Sequence, residues 1–277
     1  MLILAKPSLT VSQNQNQTNY IKAEQYLYGD RTNLPVTVVG TSLSARLLTD
    51  SLPGFYNLAF GGMSVSDGLD IIKHTEQKPR ILLLETNYFY NQSSARFLEP
   101  LFNPVNYYLK KFLFSFRSDK QPIALATSEA ILAVKGLREG QSVQKSSQVM
   151  NGGATFQQGA FEELKRKYAT APDTIEIRLA LENLKKQIIT LQSQGVEIIF
   201  QELPINPALS ISVRQQYARV AFRIAFPPSQ YRYVPKQNWN FKTTDGIHMN
   251  RTEAIEYTMY LRSWYLKNYP SDHTLIH

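Results

Sequence analysis

The 277-residue chain contains no cysteine, which excludes disulfides, thiolate metal sites and a cysteine nucleophile. Histidine is scarce, with four in all. His74 sits beside Lys73 and Glu76 on an expected helix surface, His273 and His277 lie in the tail, and only His248 falls among other reactive residues. No two histidines share a helix face at ligand spacing, so neither a catalytic metal nor any other cofactor is expected. Basic residues outnumber acidic ones by 30 to 22, a net +8, yet they form no long block or stripe. That pattern speaks against a nucleic-acid footprint and for mild attraction to anionic surfaces. No apolar run approaches the length of a transmembrane helix, and the apolar start Met1-Leu2-Ile3-Leu4-Ala5 is too short for a signal-peptide core, so the chain reads as soluble. Internal repeats are also missing.

What remains is a globular composition, 43% hydrophobic and 12% aromatic, long enough for one sizeable α/β domain or two small ones. Val36-Thr37-Val38-Val39 has the apolar, β-branched character of a strand buried on both faces, and a helix is expected from about Ser44. A strand over Tyr56 to Phe60, a helix over about Ser66 to Glu76 and a strand over Arg80 to Glu85 follow. This alternation predicts a mainly parallel sheet built from right-handed crossovers. Further on, Asp173 with Glu176 reads as a helix start, Ile177, Leu181, Leu184, Ile188 and Leu191 as its apolar face, and Gly195 as its stop. Val196 to Phe200 reads as a fourth strand, a helix is expected between Ser210 and Phe226, and Asn250 with Glu253 opens a last helix to about Lys267. Residues 1–34 read as an extension or tether, with a polar stretch Ser12 to Gln17, and 35–270 as one domain with an insertion at about 90–170. Within the insertion, Phe97 to Phe116 looks helical in parts, Ser128 to Leu137 helical, and Ser142 to Phe156 rich in turns.

Four short segments carry chemistry: Gly40-Thr41-Ser42, Asn57-Leu58-Ala59-Phe60-Gly61-Gly62, Glu85-Thr86-Asn87, and Asp245-Gly246-Ile247-His248. Ser42, Gly62 and Asn87, the last residues of the first three, sit just past expected strand ends, where parallel sheets place their ligands. A serine hydroxyl needs a base to take its proton, neutral imidazole is the usual one, and a carboxylate holds that imidazole in one tautomer. Ser42, His248 and Asp245 supply these groups. A tetrahedral oxyanion needs donors already in place, which the N–H groups of Ser42 and Gly62 and the Asn87 amide can offer. Each piece has a plainer reading by itself, Ser42 as a helix cap and Asn87 as a turn residue. Their order and strand-end placement favour the joint reading of a serine acyl hydrolase.

The four segments resemble the blocks of the SGNH (GDSL-like) hydrolase superfamily. The resemblance covers about 35–90 and 195–268. It implies a three-layer α/β/α sandwich, Ser42 as nucleophile, Ser42, Gly62 and Asn87 as the oxyanion hole, His248 as base and Asp245 as its orienter. Gly62, five residues after Asn57, fits the second block better than Gly61. Two positions depart from the pattern: Thr41 stands where the first block usually has Asp, and Glu85 where the third usually has Gly. Glu85 is open to a substrate hydroxyl or to pairing with a basic residue. These departures are similar to a divergent, envelope-associated branch that includes polysaccharide O-acetylation enzymes, which favours an extracytoplasmic place over the cytoplasm. The activity implied is that of a serine esterase acting on an acetyl or short acyl ester, with a small-molecule or carbohydrate ester as substrate. The alternatives are O-acyl transfer to a polysaccharide hydroxyl and a degenerate, non-catalytic binding module.

The aromatic residues divide two ways. Phe97, Leu98, Leu101, Tyr108, Phe112 and Phe114 read first as core or lid packing. The interleaved lysines of Tyr107 to Phe114 also suit a membrane surface or an envelope partner. Tyr88, Tyr90 and Trp239 are candidates for stacking on sugar rings, and Glu202 for the rim of the site or an ordinary surface acid.

Overall fold

The computed structural model describes residues 15–31, 34–48, 52, 54–120, 156–238 and 241–270. Five strands form one all-parallel sheet: β1 (Val36–Val39), β2 (Phe55–Asn57), β3 (Ile81–Glu85), β4 (Glu197–Gln201) and β5 (Arg232–Tyr233), in the order β2-β1-β3-β4-β5. Every residue of β1 and β3 is buried, as their unbroken apolar runs require when both sheet faces are covered. The register pairs Val39 with Leu84 and Glu85 with Gln201. The order reverses at β1: the chain leaves it for β2 on one side and returns to β3 on the other. In such doubly wound sheets the carboxyl ends of the two central strands diverge and leave a crevice. Gly40 to Ser42 and Thr86 to Asn87 open from those two ends.

Helices α2 (Val65–His74), α6 (Thr174–Ser193) and α8 (Val213–Ala225) pack side by side in sequence order. Helix α9 (Arg251–Asn268) buries Ala254, Tyr257, Thr258, Leu261 and Tyr265, a stripe at helical spacing. It lies with the β1–β2 connection, where the Leu48 N–H donates to Thr258 Oγ1 at 3.2 Å, and the Tyr265 ring meets Phe55 of β2 edge-on at 4.8 Å. Right-handed crossovers in opposite directions put that connection on the sheet face opposite α2. The result is an α/β fold, consistent with three layers. Among the described residues no helix is long and apolar enough to cross a membrane.

The described residues divide into two compact units, 15–29 with 95–120 and 30–94 with 156–270. The sheet and the four chemistry-bearing segments belong to the second. In the first, the polar stretch expected as a tether is already helical from Gln15: α1 (Gln15–Tyr28) meets α3 (Ala95–Phe102) and α4 (Pro104–Phe112). Tyr20 packs on Phe97 at 5.1 Å, and Glu24 accepts hydrogen bonds from Lys110 Nζ and from the Ser118 N–H and hydroxyl, each at 2.7 Å. Phe97 and Leu101 are buried as core residues, whereas Tyr108, Phe112 and Phe114 are exposed. The helix expected at Ser128 to Leu137 and nearly all of the turn-rich stretch after it lie outside the described residues.

Two further expectations change. The helix from Ser44 shrinks to one 3₁₀ turn, Ser44–Arg46, because the Ser44 N–H and hydroxyl are held by Glu85 and Leu47 turns extended. The second strand is shorter than expected, Phe55–Asn57: beyond it the Asn57 side chain accepts the Ala59 N–H at 3.0 Å, while the Leu58 and Phe60 N–H groups still donate to the Val38 and Gly40 carbonyls at 2.8 and 3.3 Å. The remaining helices are α5 (Gln158–Tyr168) and the short α7 (Pro207–Ser210).

Candidate active site

The loop after β1 is built around one carboxylate. Glu85, at the carboxyl end of β3, is fully buried and accepts four hydrogen bonds. They come from the Thr41 N–H (2.8 Å), the Thr41 hydroxyl (2.7 Å), the Ser44 N–H (3.2 Å) and the Ser44 hydroxyl (2.8 Å). Gly40 makes the approach feasible, since a Cβ there would fall 2.5 Å from Glu85 Oε2 and 2.4 Å from Ser44 Oγ. From the other side, Asn57 Nδ2 donates to the carbonyls of Ser44 (2.9 Å) and Leu47 (3.2 Å). Glu85 is thus sealed from solvent and, among the described residues, is occupied by Thr41 and Ser44 rather than by a basic residue, which leaves no oxygen open to a substrate hydroxyl. Burial raises its pKa, and the hydrogen bonds from Thr41 and Ser44 oppose that rise.

Held this way, the loop presents Ser42. The Ser42 Oγ lies 2.8 Å from His248 Nε2, and His248 Nδ1 lies 2.6 Å from Asp245 Oδ2. The other Asp245 oxygen accepts the N–H groups of Ile247 (3.1 Å) and His248 (2.9 Å), an Asx turn that fixes carboxylate and imidazole together. Gly246 makes the turn at φ +101°. Burial works to raise the Asp245 pKa, but the hydrogen bonds from His248 and Ile247 outweigh it and hold the carboxyl below its ordinary value of 3.8. An ionised Asp245 can only accept, so Nδ1 of a neutral His248 carries the proton and Nε2 faces the Ser42 hydroxyl with its lone pair. His248 and Asp245 keep 18% of their side-chain surface exposed, so the relay is reachable from solvent.

The loop bearing His248 and Asp245 is closed by an antiparallel bridge from Thr243 to Met249 and by the Thr244 N–H to His248 carbonyl bond at 2.8 Å. Arg46 Nη1 donates to the Met249 carbonyl at 2.9 Å and ties this loop to the one carrying Ser42.

The candidate oxyanion donors differ in standing. Around Ser42, the N–H groups of Thr41, Leu43, Ser44, Ala45 and Arg46 all have protein acceptors. Those of Ser42 and Gly62 have none among the described residues. Gly62 is exposed and left-handed, at φ +73°. Asn87 has structural work: its Nδ2 donates to the Leu203 carbonyl at 2.9 Å and its Oδ1 accepts the Leu203 N–H at 2.8 Å, latching the end of β3 to the end of β4. One amide hydrogen of Asn87 is thereby committed, and the second is what remains for an oxyanion.

The aromatic candidates do not line a sugar platform. Tyr88 and Tyr90 are each 7% exposed, and the Tyr88 hydroxyl lies 2.6 Å from that of Tyr168. Their rings pack edge-on at 6.5 Å, so they serve the core. Trp239 lies outside the described residues. Glu202 is partly buried rather than an ordinary surface acid, and Arg219 donates to both of its oxygens. Sequence reasoning passed over Ser44 and Arg46. Nothing local marks either, since their partners are 41 and 203 residues away. Among the described residues no group of three or more His, Cys, Asp and Glu is placed to hold a metal ion. Comparison with protein-family models and with curated proteins finds no match.

Proposed function

We propose that the protein is a serine esterase of the SGNH type, acting through an acyl-enzyme on an acetyl or short acyl ester of a carbohydrate. The observation that carries this reading is the unbroken relay from Ser42 Oγ to His248 to Asp245, 2.8 and 2.6 Å per link, at the switch point of a parallel sheet. In the reaction, Ser42 Oγ attacks the ester carbonyl carbon while its proton passes to His248 Nε2. The carbonyl oxygen becomes an oxyanion facing the uncommitted N–H groups of Ser42 and Gly62. Collapse breaks the carbon–oxygen bond of the ester, and the leaving alkoxide takes the proton from Nε2. Water, or the hydroxyl of an acceptor sugar, then gives its proton to Nε2 and attacks the acyl carbon, and collapse breaks the bond to Ser42 Oγ, which takes the proton back from Nε2. Asp245 stays ionised and stabilises the imidazolium in both halves.

The superfamily resemblance gains support from positions 41 and 85. The two departures from the pattern touch each other: the acid missing at Thr41 is matched by the carboxylate of Glu85, which binds the Thr41 N–H and hydroxyl. The α/β layering supports the expected sandwich. The test is hydrolysis of p-nitrophenyl acetate together with fluorophosphonate labelling mapped by mass spectrometry. The expected result is a label on Ser42 and a fall in turnover of roughly 10⁶-fold in Ser42→Ala. A folded protein that takes no label at Ser42 would overturn the assignment.

A further inference from the structure

A cavity of about 210 Å³ opens at the same carboxyl edge of the sheet, beyond β3, β4 and β5. Thr86 and Asn87 form part of its wall, so it shares a residue with the candidate oxyanion site. Parallel strands lie about 4.8 Å apart, which puts its centre roughly two strands, or about 10 Å, from the column of Ser42. Its charged lining is unbalanced: Arg219, Arg223 and Lys236 face one carboxylate, Glu202.

Glu202 is already engaged. Arg219 Nε lies 3.0 Å from both of its oxygens and Nη2 lies 2.7 Å from Oε1. The same guanidinium donates from Nη1 and Nη2 to the Ser210 carbonyl, at 3.3 and 3.2 Å, which fixes the pair. Lys236 reaches Glu202 only at 3.4 Å, with its side chain half exposed. Arg223 makes no hydrogen bond or ion pair among the described residues. A neutral polar group joins them: the buried Gln215 amide lines the cavity beside the Tyr168 hydroxyl. A concave wall on which three cations face one carboxylate, with the Arg223 guanidinium unpaired among the described residues and Lys236 held only loosely, is built for an anionic group.

We infer that this cavity is an anion subsite, which receives a carboxylate or phosphate carried by the substrate beside the ester attacked at Ser42. The substrate class becomes an acyl ester of an acidic carbohydrate. This inference rests on the esterase reading, and the experiment separates the two.

Ser42→Ala protein, which needs no turnover, is titrated calorimetrically with tetragalacturonate, mannose 6-phosphate and maltotetraose. The expected result is binding of one or both anionic sugars and none of maltotetraose, and the anion that binds identifies carboxylate or phosphate as the natural source. Adding Arg223→Gln and Lys236→Gln together weakens that binding about tenfold, as does raising the salt from about 50 mM to about 500 mM. Arg223→Lys with Lys236→Arg restores it. In the active enzyme, the ratio of kcat/KM on an acetylated galacturonan to that on an acetylated neutral glucan falls about tenfold in the Gln pair. Equal binding of charged and neutral sugars, or anion binding untouched by the Gln pair, overturns the subsite. Absence of a fluorophosphonate label at Ser42 overturns the esterase reading alone, because the titration still reports on the cavity.

Discussion

Glu85 offers the sharpest test of how the nucleophile is held. Replacing it with alanine removes the acceptor of four donors, two of them backbone N–H groups of Thr41 and Ser44. The two hydroxyls can rotate toward other oxygens, but the amides cannot. A buried donor left without a partner costs about 1–3 kcal/mol, so the two amides give about 2–6 kcal/mol before any cavity is counted. At about 2–4 °C per kcal/mol for a domain of this size, the melting temperature falls by roughly 5–20 °C. Glu85→Gln is milder, because the amide oxygen can take the place of Oε2 while the nitrogen donates to Thr41 Oγ1. The loop that presents Ser42 loosens in both variants. A shift of about 1 Å at a reacting atom is worth about 10²-fold in rate, so fluorophosphonate labelling slows in the order wild type, Gln, Ala. Thermal melts and labelling rates on the same preparations read both effects.

The pH dependence adds a sign. Burial raises the Glu85 pKa above its ordinary 4.5. The folded state therefore holds that proton more tightly than the unfolded chain does. Its contribution to stability is complete below the ordinary value and fades as pH rises through the folded pKa. Wild type thus gains stability relative to Glu85→Gln as pH is lowered from neutral toward 4.5. A Glu85→Ala protein that melts and labels like wild type would refute the anchoring role.

Gly40→Ala sets a methyl group 2.4–2.5 Å from Ser44 Oγ and Glu85 Oε2. It should cost about 1–3 kcal/mol and slow labelling of Ser42, and an unchanged melt would contradict the packing described. Asp245→Asn keeps the shape of the turn but favours the wrong imidazole tautomer, so esterase kcat should fall about 10⁴-fold. The Asp245 carboxyl titrates below its ordinary 3.8, so its contribution to stability is complete above that value and lost as pH falls through the folded pKa. The stability gap between wild type and Asp245→Asn should therefore be flat at neutral pH and narrow only in strong acid, as acid-titrated melts would show.

The parallel sheet was legible because β1, β3 and β4 are buried strands, and burial on both faces leaves an unbroken apolar run in the sequence. Strand β5 left no such trace: Arg232 and Tyr233 are two residues at the edge, one exposed and one half-buried. Ser42, His248 and Asp245 could be read because few side chains can form such a relay, and an Asp three residues before a His can close it locally. The partners of Glu85 could not be read, since its hydrogen bonds span 41 and 44 residues and its burial depends on strand pairing. The same long range misled the reading of Ser44 to Leu47, where local preference is helical and a carboxylate from the next strand overrides it. Tyr88 was misjudged for a related reason, because an aromatic residue beside a site looks the same in sequence whether it faces a ligand or Tyr168.

The contact between Thr41 and Glu85 also bears on how such a sequence arises. An acid at position 41 and an acid at position 85 would stand at hydrogen-bond distance from each other in a space without solvent, where the pair could keep only one charge and the loop would lose a donor. An acid at neither would orphan the Ser44 amide. The exchange of one arrangement for the other therefore passes through a poorly folding intermediate, whichever position changes first. Lineages on either side are expected to keep their own pairing, so these two residues should be inherited together, and two chains with the same relay can drift far apart around it.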